Sequence, residues 1–250
     1  MTIWPRCATL GCKMSERHQS GKVAEQIMTG VKQFVRRFPF TLLMLAALGT
    51  TAVFTNTHMV SLTNEWLELL GYAPNDLWLF NWERLVTSAL VTFGKSVFWQ
   101  AMGMIVLAVG AAERLTGTKR TAVTFWGAHL TTLLTGSLLV ALPLHLTGNA
   151  AGTALVFARD VGPSAGYYGC LGLVSRRLPR PWQWLSGMAV LVGLIVTLFQ
   201  APKVGQDTAV KLAADMAHLI AFPLGWLSGG WLRREGTLQR VPVSHSQSKI

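Results

Sequence analysis

Six long stretches without a charged residue dominate this 250-residue chain. A transmembrane helix needs about 20 apolar residues to cross the roughly 30 Å hydrocarbon layer of a bilayer. The pattern predicts an all-α, polytopic membrane helical bundle with six transmembrane helices at 38–232, a basic segment at 1–37 and a polar tail at 233–250. The uncharged stretches are Phe38–Asn64, Ser96–Ala112, Thr121–Ala158, Val161–Ser175, Pro181–Pro202 and Met216–Leu232.

Charge is distributed unevenly between the two sides of these predicted spans. With the amino terminus placed in the cytoplasm, 17 of the 22 Lys and Arg residues and 4 of the 11 Asp and Glu residues lie on the inner side. The net charge is then +13 inside and −2 outside. Basic residues accumulate on the cytoplasmic side of membrane proteins. We therefore expect both termini in the cytoplasm, and basic residues that bind anionic lipids at that face rather than nucleic acid.

Composition argues against other classes of protein. The chain is 51% hydrophobic and only 13% charged, whereas about a quarter of the residues in a soluble domain are charged. Cys7, Cys12 and Cys170 are too few for a disulfide framework and lack the spacing of a zinc site, so no metal is expected. A cleaved signal peptide is the alternative for Phe38–Phe54, although the polar lead before it is long.

The connection between the first two predicted spans carries apolar and aromatic residues. Asn64–Gly71 is predicted to be a short amphipathic helix with Asn64 as its cap and Gly71 as its stop. Trp78 and Trp82 follow it. Tryptophan at this density indicates either an element in the headgroup layer or anchors for the neighbouring spans.

The fourth stretch is too short to begin at the outer surface. At 1.5 Å per residue, Ser164 lies roughly 18 Å above the inner boundary, so its helix begins inside the membrane. Pro163 suits the first helical position, with Gly162 before it. Irregular backbone at that depth requires surrounding protein or a water-filled cavity. The helix dipole and free N–H groups at Ser164 would stabilise an oxyanion, which is a setting for hydrolysis.

A histidine lies at a similar depth in the last predicted span. His218 is roughly 22 Å above the inner boundary, about 4 Å from the height of Ser164, and a neutral imidazole beside a serine can act as a general base. Small residues such as Gly169 and Gly225 would let the two helices approach closely. Asp215 either hydrogen-bonds to His218 or caps the outer end of the span. In the structural alternative, the histidine only hydrogen-bonds to a neighbouring span and the serine only caps its helix.

These residues resemble the motifs of the rhomboid family of intramembrane serine proteases. Gly162-Pro163-Ser164-Ala165 is similar to the family's Gly-x-Ser-Gly, with Tyr168 and Gly169 at the fourth and fifth positions after the serine. Ala217-His218 through Gly225 resembles Ala-His-x-x-Gly-x-x-x-Gly with one Gly replaced by Ala221. The stretch Trp82–Leu90, and Glu113-Arg114 with Gly117, resemble the sequences that flank the family's second span.

The resemblance implies a rhomboid-like fold with a Ser–His dyad. Ser164 would be the nucleophile, His218 the general base and Tyr168 its packing partner, with Gly162 and Gly169 in supporting positions. It implies a serine endopeptidase without a cofactor that cleaves transmembrane protein substrates near the outer leaflet. The expected location is the cell membrane of a bacterium, because the sequence around Ser164 resembles a divergent bacterial branch of the family.

One departure from the family leaves the activity open. Family members that cleave substrates usually carry His-x-x-x-Asn in the second span as donors to the oxyanion, and Ser96–Met102 contains neither residue. Loss of one such donor costs about 2.7–4 kcal/mol in a soluble protease. Gln100, His129, His145 and Asn149 are the candidate substitutes, with Asp215 as a residue that tunes His218.

Three other functions are each compatible with part of the sequence pattern. A rhomboid-like pseudoprotease would bind transmembrane segments without cutting them, which the missing donors favour. A small transporter or channel is disfavoured because the sequence shows no duplicated halves with matching broken helices. The soluble hydrolase elbow Gly-x-Ser-x-Gly also fits Gly162–Gly166, but it needs an alternating strand and helix pattern that this sequence lacks.

Overall fold

The structure is a computed structural model of the chain. It describes residues 25, 28–29, 32–200 and 206–238, with the backbone alone at 206–207 and 231–238. Met1–Pro39 and Phe40–Ile250 are two separate units, and residues 32–37 of the first are helical. Most of the predicted basic segment lies outside the described residues. The last helix continues to Leu238, into the predicted polar tail, and the remainder of that tail is outside the described range.

The described part of the second unit is built from helices and short connections, with two isolated β-bridges. Short 3₁₀ turns lie at Pro74–Leu77 and Ser88–Leu90. The helices are α1 Pro39–Phe54, α2 Asn64–Leu70, α3 Arg84–Thr87, α4 Ser96–Thr116, α5 Thr118–Leu146, α6 Ala150–Phe157, α7 Ser164–Arg177, α8 Trp182–Gln200 and α9 Gln206–Leu238.

Four helices within the described residues are long and apolar enough to cross a membrane. They are α4, α5, α8 and the Thr208–Gly230 part of α9. The other two predicted spans correspond to α1, which is apolar but has 16 residues, and α7, which has 14. At 1.5 Å per residue, α7 is about 21 Å long, less than a bilayer core. The structure therefore supports a helical membrane bundle, while the number of six spans and the orientation of the termini stay predictions.

Helix α7 contacts α4, α5, α8 and α9, and its side chains Cys170 and Leu173 are fully buried. Glycine allows its closest approach to α9. A Cβ atom added to Gly225 would collide with the carbonyl oxygen of Gly169, and one added to Gly172 would collide with the carbonyl oxygen of Phe222. The backbones of the two helices therefore touch, which places residues of α7 and α9 at a fixed distance from each other.

Replacing Gly225 by alanine is expected to lower the stability of the bundle by about 1–3 kcal/mol, the usual cost of overpacking. The new methyl group meets backbone of α7 and has no flexible side chain to displace. Gly193→Ala on α8 is the matched control, because a Cβ there meets nothing within 4 Å. Thermal unfolding in detergent measures both variants, and an equal midpoint for the two would contradict the close packing.

A buried carboxylate holds α1 against α4. Glu113, only 2% exposed, accepts hydrogen bonds from the N–H groups of Phe40 and Thr41 at 3.0 and 2.9 Å and from the Thr41 hydroxyl at 2.7 Å. These N–H groups belong to the first turn of α1, which has no intrahelical acceptors for them. A negative charge at a helix N-terminus is also favoured by the helix dipole.

Asp76 organises the connection between α1 and α4. It is 1% exposed and accepts hydrogen bonds from the Ala73 N–H at 2.9 Å, from Arg84 at 2.7 Å and from Arg159 at 2.8 Å. Arg159 also pairs with Glu68 at 2.6 Å. The Asp76 cluster, formed by Glu68, Asp76, Arg84 and Arg159, therefore joins this connection to the segment that leads into α7.

The short helix in this connection differs from its prediction at one position. Helix α2 begins with Asn64, and Thr63 occupies the cap position without a side-chain hydrogen bond. The predicted asparagine cap is therefore wrong. Gly71 follows the helix, as predicted, and a Cβ there would lie 2.5 Å from the carbonyl oxygen of Leu67. Trp78 and Trp82 are exposed.

Candidate active site

Ser164 is the first residue of α7, at the end of an irregular segment. Gly162 has φ of 139°, a conformation that favours glycine, and its N–H donates a 2.7 Å hydrogen bond to the Ser88 carbonyl. Pro163 occupies the cap position, one residue before the first helical position that the sequence predicted for it. The backbone N–H groups in the first turn of a helix have no intrahelical acceptors. Those at the start of α7 are therefore free to donate hydrogen bonds next to Ser164.

Ser164 and His218 line the same cavity, although 54 positions separate them in the chain. The cavity has a volume of about 190 Å³. Its walls come from the connection before α4, from α4 itself, from the segment before α7, and from α7 and α9. The lining residues are Thr92, Phe93, Val97, Gln100, Ala101, Asp160, Val161, Gly162, Pro163, Ser164, Tyr167, Ala214 and His218.

The imidazole of His218 is packed on one face and free at one nitrogen. Its ring lies against that of Tyr168, with 4.3 Å between the centroids and 34° between the planes. Its Nε2 atom is buried and has no hydrogen-bond partner among the described residues. No hydrogen bond joins it to the Ser164 hydroxyl in this structure. The stacked tyrosine therefore restricts the ring, while its Nε2 atom keeps no hydrogen-bond partner among the described residues.

Glycine at position 169 brings three helices together below the serine. A Cβ there would collide with the Cβ of Ala128 on α5 and would lie 3.7 Å from the carbonyl oxygen of Ala221 on α9. Gly166 instead lies beside α5, because a Cβ added there would be 2.5 Å from the Phe125 ring. Gly169 therefore lies where α5, α7 and α9 meet.

Asp215 does not cap a helix. It lies nine residues inside α9, so the predicted role as a cap of the outer end is wrong. Its side chain is 8% exposed, and its Oδ2 atom has no hydrogen-bond partner among the described residues. No hydrogen bond joins Asp215 to His218 among the described residues, so the role of Asp215 in tuning the histidine stays a prediction.

Of the predicted substitute donors, Gln100 alone lines the cavity with the serine and histidine. His129 is buried in α5, and its Nε2 pairs with the Leu85 carbonyl at 3.0 Å. Asn149 caps α6 by accepting from the Ala151 N–H at 2.9 Å. His145 hydrogen-bonds to the Thr153 hydroxyl at 3.0 Å. The structure thus gives His129, Asn149 and His145 other partners.

Two polar residues of this cavity were not predicted from the sequence. Thr92 is 2% exposed, and its hydroxyl is buried without a hydrogen-bond partner among the described residues. Asp160 is half-buried and pairs through its backbone with Tyr72 in an isolated β-bridge. Both residues lie in irregular segments, where hydrophobic periodicity carries no signal. Among the described residues, no group of three His, Cys, Asp or Glu side chains is arranged to hold a metal ion.

The carboxyl group of Asp160 makes stability depend on pH. Burial raises the pKa of Asp160 from 3.8 to about 7, and the hydrogen bond from the Val161 N–H opposes part of this rise. Between about pH 4 and pH 7 the folded chain therefore keeps a proton that the unfolded chain releases, so stability falls as pH rises through this window. Asp160→Asn keeps an acceptor for Val161 and removes the titration.

We expect the unfolding midpoint of the unmodified protein in detergent to fall across that window, and the midpoint of Asp160→Asn to fall less. Glu65→Gln, which changes an exposed acid on α2, is the matched control. Parallel slopes for the unmodified protein and Asp160→Asn would show that Asp160 does not titrate in the folded chain as described.

Comparison with protein families matches residues 33–228 to the family described as rhomboid-like protein. A comparison with curated proteins gave no significant match. The matched region includes every residue that lines the cavity, and it covers more than half of the chain. The predicted resemblance is therefore confirmed. With its four long apolar helices, the chain is a helical membrane protein that belongs to the rhomboid-like protein family.

Proposed function

We propose that this chain is an intramembrane serine endopeptidase in which Ser164 is the nucleophile and His218 the general base. The observation that carries the proposal is the shared cavity, into which α7 contributes the serine and α9 the histidine. The unpartnered Nε2 atom of His218 supports the role of proton acceptor. The stack on Tyr168 supports it further, since it limits how the ring turns.

In the proposed reaction, His218 takes the hydroxyl proton of Ser164 as the oxygen attacks the carbonyl carbon of a substrate peptide bond. The histidine then gives that proton to the leaving amine, and the peptide bond breaks to leave an acyl group on the serine. A water molecule, deprotonated by the same imidazole, attacks the acyl carbon. The product carboxylic acid leaves, and the proton returns to the serine oxygen.

The oxyanion would be stabilised by three kinds of donor. The free N–H groups at the start of α7 are the first, because they follow Ser164 directly. The side-chain amide of Gln100 and the hydroxyl of Thr92 line the same cavity and are the other two. These donors would take the place of the histidine and asparagine that the second span lacks.

Substrates are proposed to be transmembrane proteins cut near the outer leaflet of a bacterial cell membrane. Six spans with both termini in the cytoplasm would place the start of α7 inside the bilayer, where the cavity would supply water-compatible surroundings for the irregular backbone before it. The charge distribution of the sequence supports this orientation. The reaction needs no metal or cofactor.

Labelling with a fluorophosphonate probe in detergent tests the proposal. The unmodified protein is expected to carry one label on Ser164, located by mass spectrometry of its peptides. Ser164→Ala is expected to carry none, and Ser186→Ala on α8, outside the cavity lining, is expected to label normally. A protein that stays unlabelled while an active rhomboid protease is labelled in parallel would overturn the proposal.

A pseudoprotease is the second candidate, and the apolar wall of the cavity favours it. Val97 and Ala101 on α4 line the cavity with the four-residue spacing of the family's His-x-x-x-Asn, and neither can donate a hydrogen bond from its side chain. The structure also holds Ser164 and His218 without a mutual hydrogen bond. Such a protein would bind transmembrane segments without cutting them.

Crosslinking of membrane proteins to the unmodified chain and to Ser164→Ala separates the two candidates. A pseudoprotease is expected to capture the same proteins with either residue and to release no fragments. An active protease is expected to show captured proteins intact with Ser164→Ala and fragmented with the unmodified chain.

A further inference from the structure

A second cavity lies between α5 and α9, away from the candidate active site. This α5–α9 cleft has a volume of about 580 Å³ and shares no lining residue with the cavity of Ser164 and His218. Its lining runs along α5 from Lys119 to Thr131. Twelve residues of helix rise about 18 Å, close to one leaflet of a hydrocarbon core of roughly 30 Å. The cleft is thus as long as one leaflet is thick.

One end of the cleft is strongly basic. Lys119 and Arg120 are exposed there, in the first turn of α5, and that turn has no acidic residue. Neither side chain forms an ion pair within the part of the chain that the structure describes. No acidic residue lines the cleft. The two cations therefore stand at the mouth of the cleft without an acidic partner among the described residues.

The rest of the cleft is built from short or apolar side chains. Val123 and Gly127 on α5 are exposed, and Leu224 on α9 faces them. Gly127 has no atom within 4 Å of the position of an added Cβ, so the space beside it is open. The α5–α9 cleft has apolar walls, is one leaflet long and carries two cations at one end. It therefore has the charge and shape of a phospholipid binding site.

We propose that the α5–α9 cleft binds an anionic glycerophospholipid. The phosphate group pairs with Lys119 and Arg120, and one acyl chain lies along Val123, Gly127 and Leu224. A soluble anion would satisfy the cations and leave the apolar walls open, whereas a lipid fills both parts. The proposal does not depend on Ser164 or His218, and it holds whether the chain is a protease or a pseudoprotease.

Native mass spectrometry of the full chain in detergent, titrated with phosphatidylglycerol, tests the charged end. The unmodified protein is expected to retain one tightly bound lipid. Lys119→Gln with Arg120→Gln is expected to weaken that binding roughly 30-fold, which corresponds to about 1 kcal/mol for each charge. Arg36→Gln with Arg37→Gln is the matched control and is expected to keep it. Loss of binding only in the Arg36 and Arg37 variant would overturn the proposal.

Filling the apolar part of the α5–α9 cleft tests acyl-chain binding without changing the charge of the protein. Gly127→Leu is expected to fill the open space and to reduce retention at least 10-fold, while Gly103→Leu, at an equally open position on α4, is expected to leave it unchanged. Glycerol phosphate, which lacks acyl chains, is expected not to compete. Competition by glycerol phosphate, or equal retention of zwitterionic phosphatidylcholine, would overturn the proposal. The unfolding midpoint of each variant shows whether it is folded.

Discussion

Replacing His218 by alanine is expected to lower the rate of fluorophosphonate labelling at Ser164 by about 10²–10⁴-fold, the usual contribution of a general base. The serine hydroxyl attacks slowly unless a base accepts its proton, and His218 lines the same cavity with a buried Nε2 atom that has no hydrogen-bond partner among the described residues. The effect is chemical rather than structural, because Tyr168 and the glycine contacts of α7 with α9 remain.

The matched control is His145→Ala, which removes a half-buried histidine outside the cavity, whose partner is Thr153. Its labelling rate is expected to equal that of the unmodified protein. Rates are measured over time at several probe concentrations, so that binding and reaction separate. If His218→Ala labels as fast as His145→Ala, His218 is not the general base for Ser164.

Replacing Asp76 by alanine is expected to cost about 3–5 kcal/mol of stability, because it leaves buried positive charges without their partner. Arg84 and Arg159 both donate to this carboxylate, and their side chains are only 16% and 12% exposed. For a chain of this size, such a loss corresponds to a fall of roughly 6–20 °C in unfolding midpoint. Thermal unfolding in detergent is the measurement.

Glu68→Ala is the matched control within the Asp76 cluster. Glu68 pairs with the same Arg159, but its side chain is 68% exposed, and exposed ion pairs contribute about 0–1 kcal/mol. Its midpoint is therefore expected to change little. Similar losses for the two variants would mean that Asp76 acts as a surface charge. Because Arg159 precedes Ser164 by five residues, Asp76→Ala is also expected to slow labelling of the serine.

The positions of the helices were well predicted from the sequence, because a helix that crosses a membrane needs a long apolar stretch. Each of the six uncharged stretches overlaps one of the helices α1, α4, α5, α7, α8 and α9, and the third also contains α6. The short fourth stretch became the short helix α7, with Ser164 at its start. Length and composition are local properties, so they are readable without knowing which helices touch.

Residues whose roles depend on partners distant in the sequence were less predictable. The sequence indicated Glu113 only as part of a family motif. In the structure it accepts hydrogen bonds from the start of α1, more than 70 positions away. Asp76 and Thr92 gave no signal in the sequence, because their roles depend on partners or walls supplied by distant segments. The sequence did not show which substitute donor lies near Ser164, since Gln100 and His129 both lie in predicted spans.

The sequence by itself determined that this is a helical membrane protein of the rhomboid-like family, with a serine at the start of a short helix, and it predicted a histidine at a similar depth. Apolar run length, charge asymmetry and motif spacing carry that information directly. The tertiary structure alone decided that Ser164 and His218 share a cavity, with Gln100, Thr92 and Asp160 around it. Side-chain proximity depends on how α7 packs on α9, and backbone contact at Gly169 and Gly225 sets that packing.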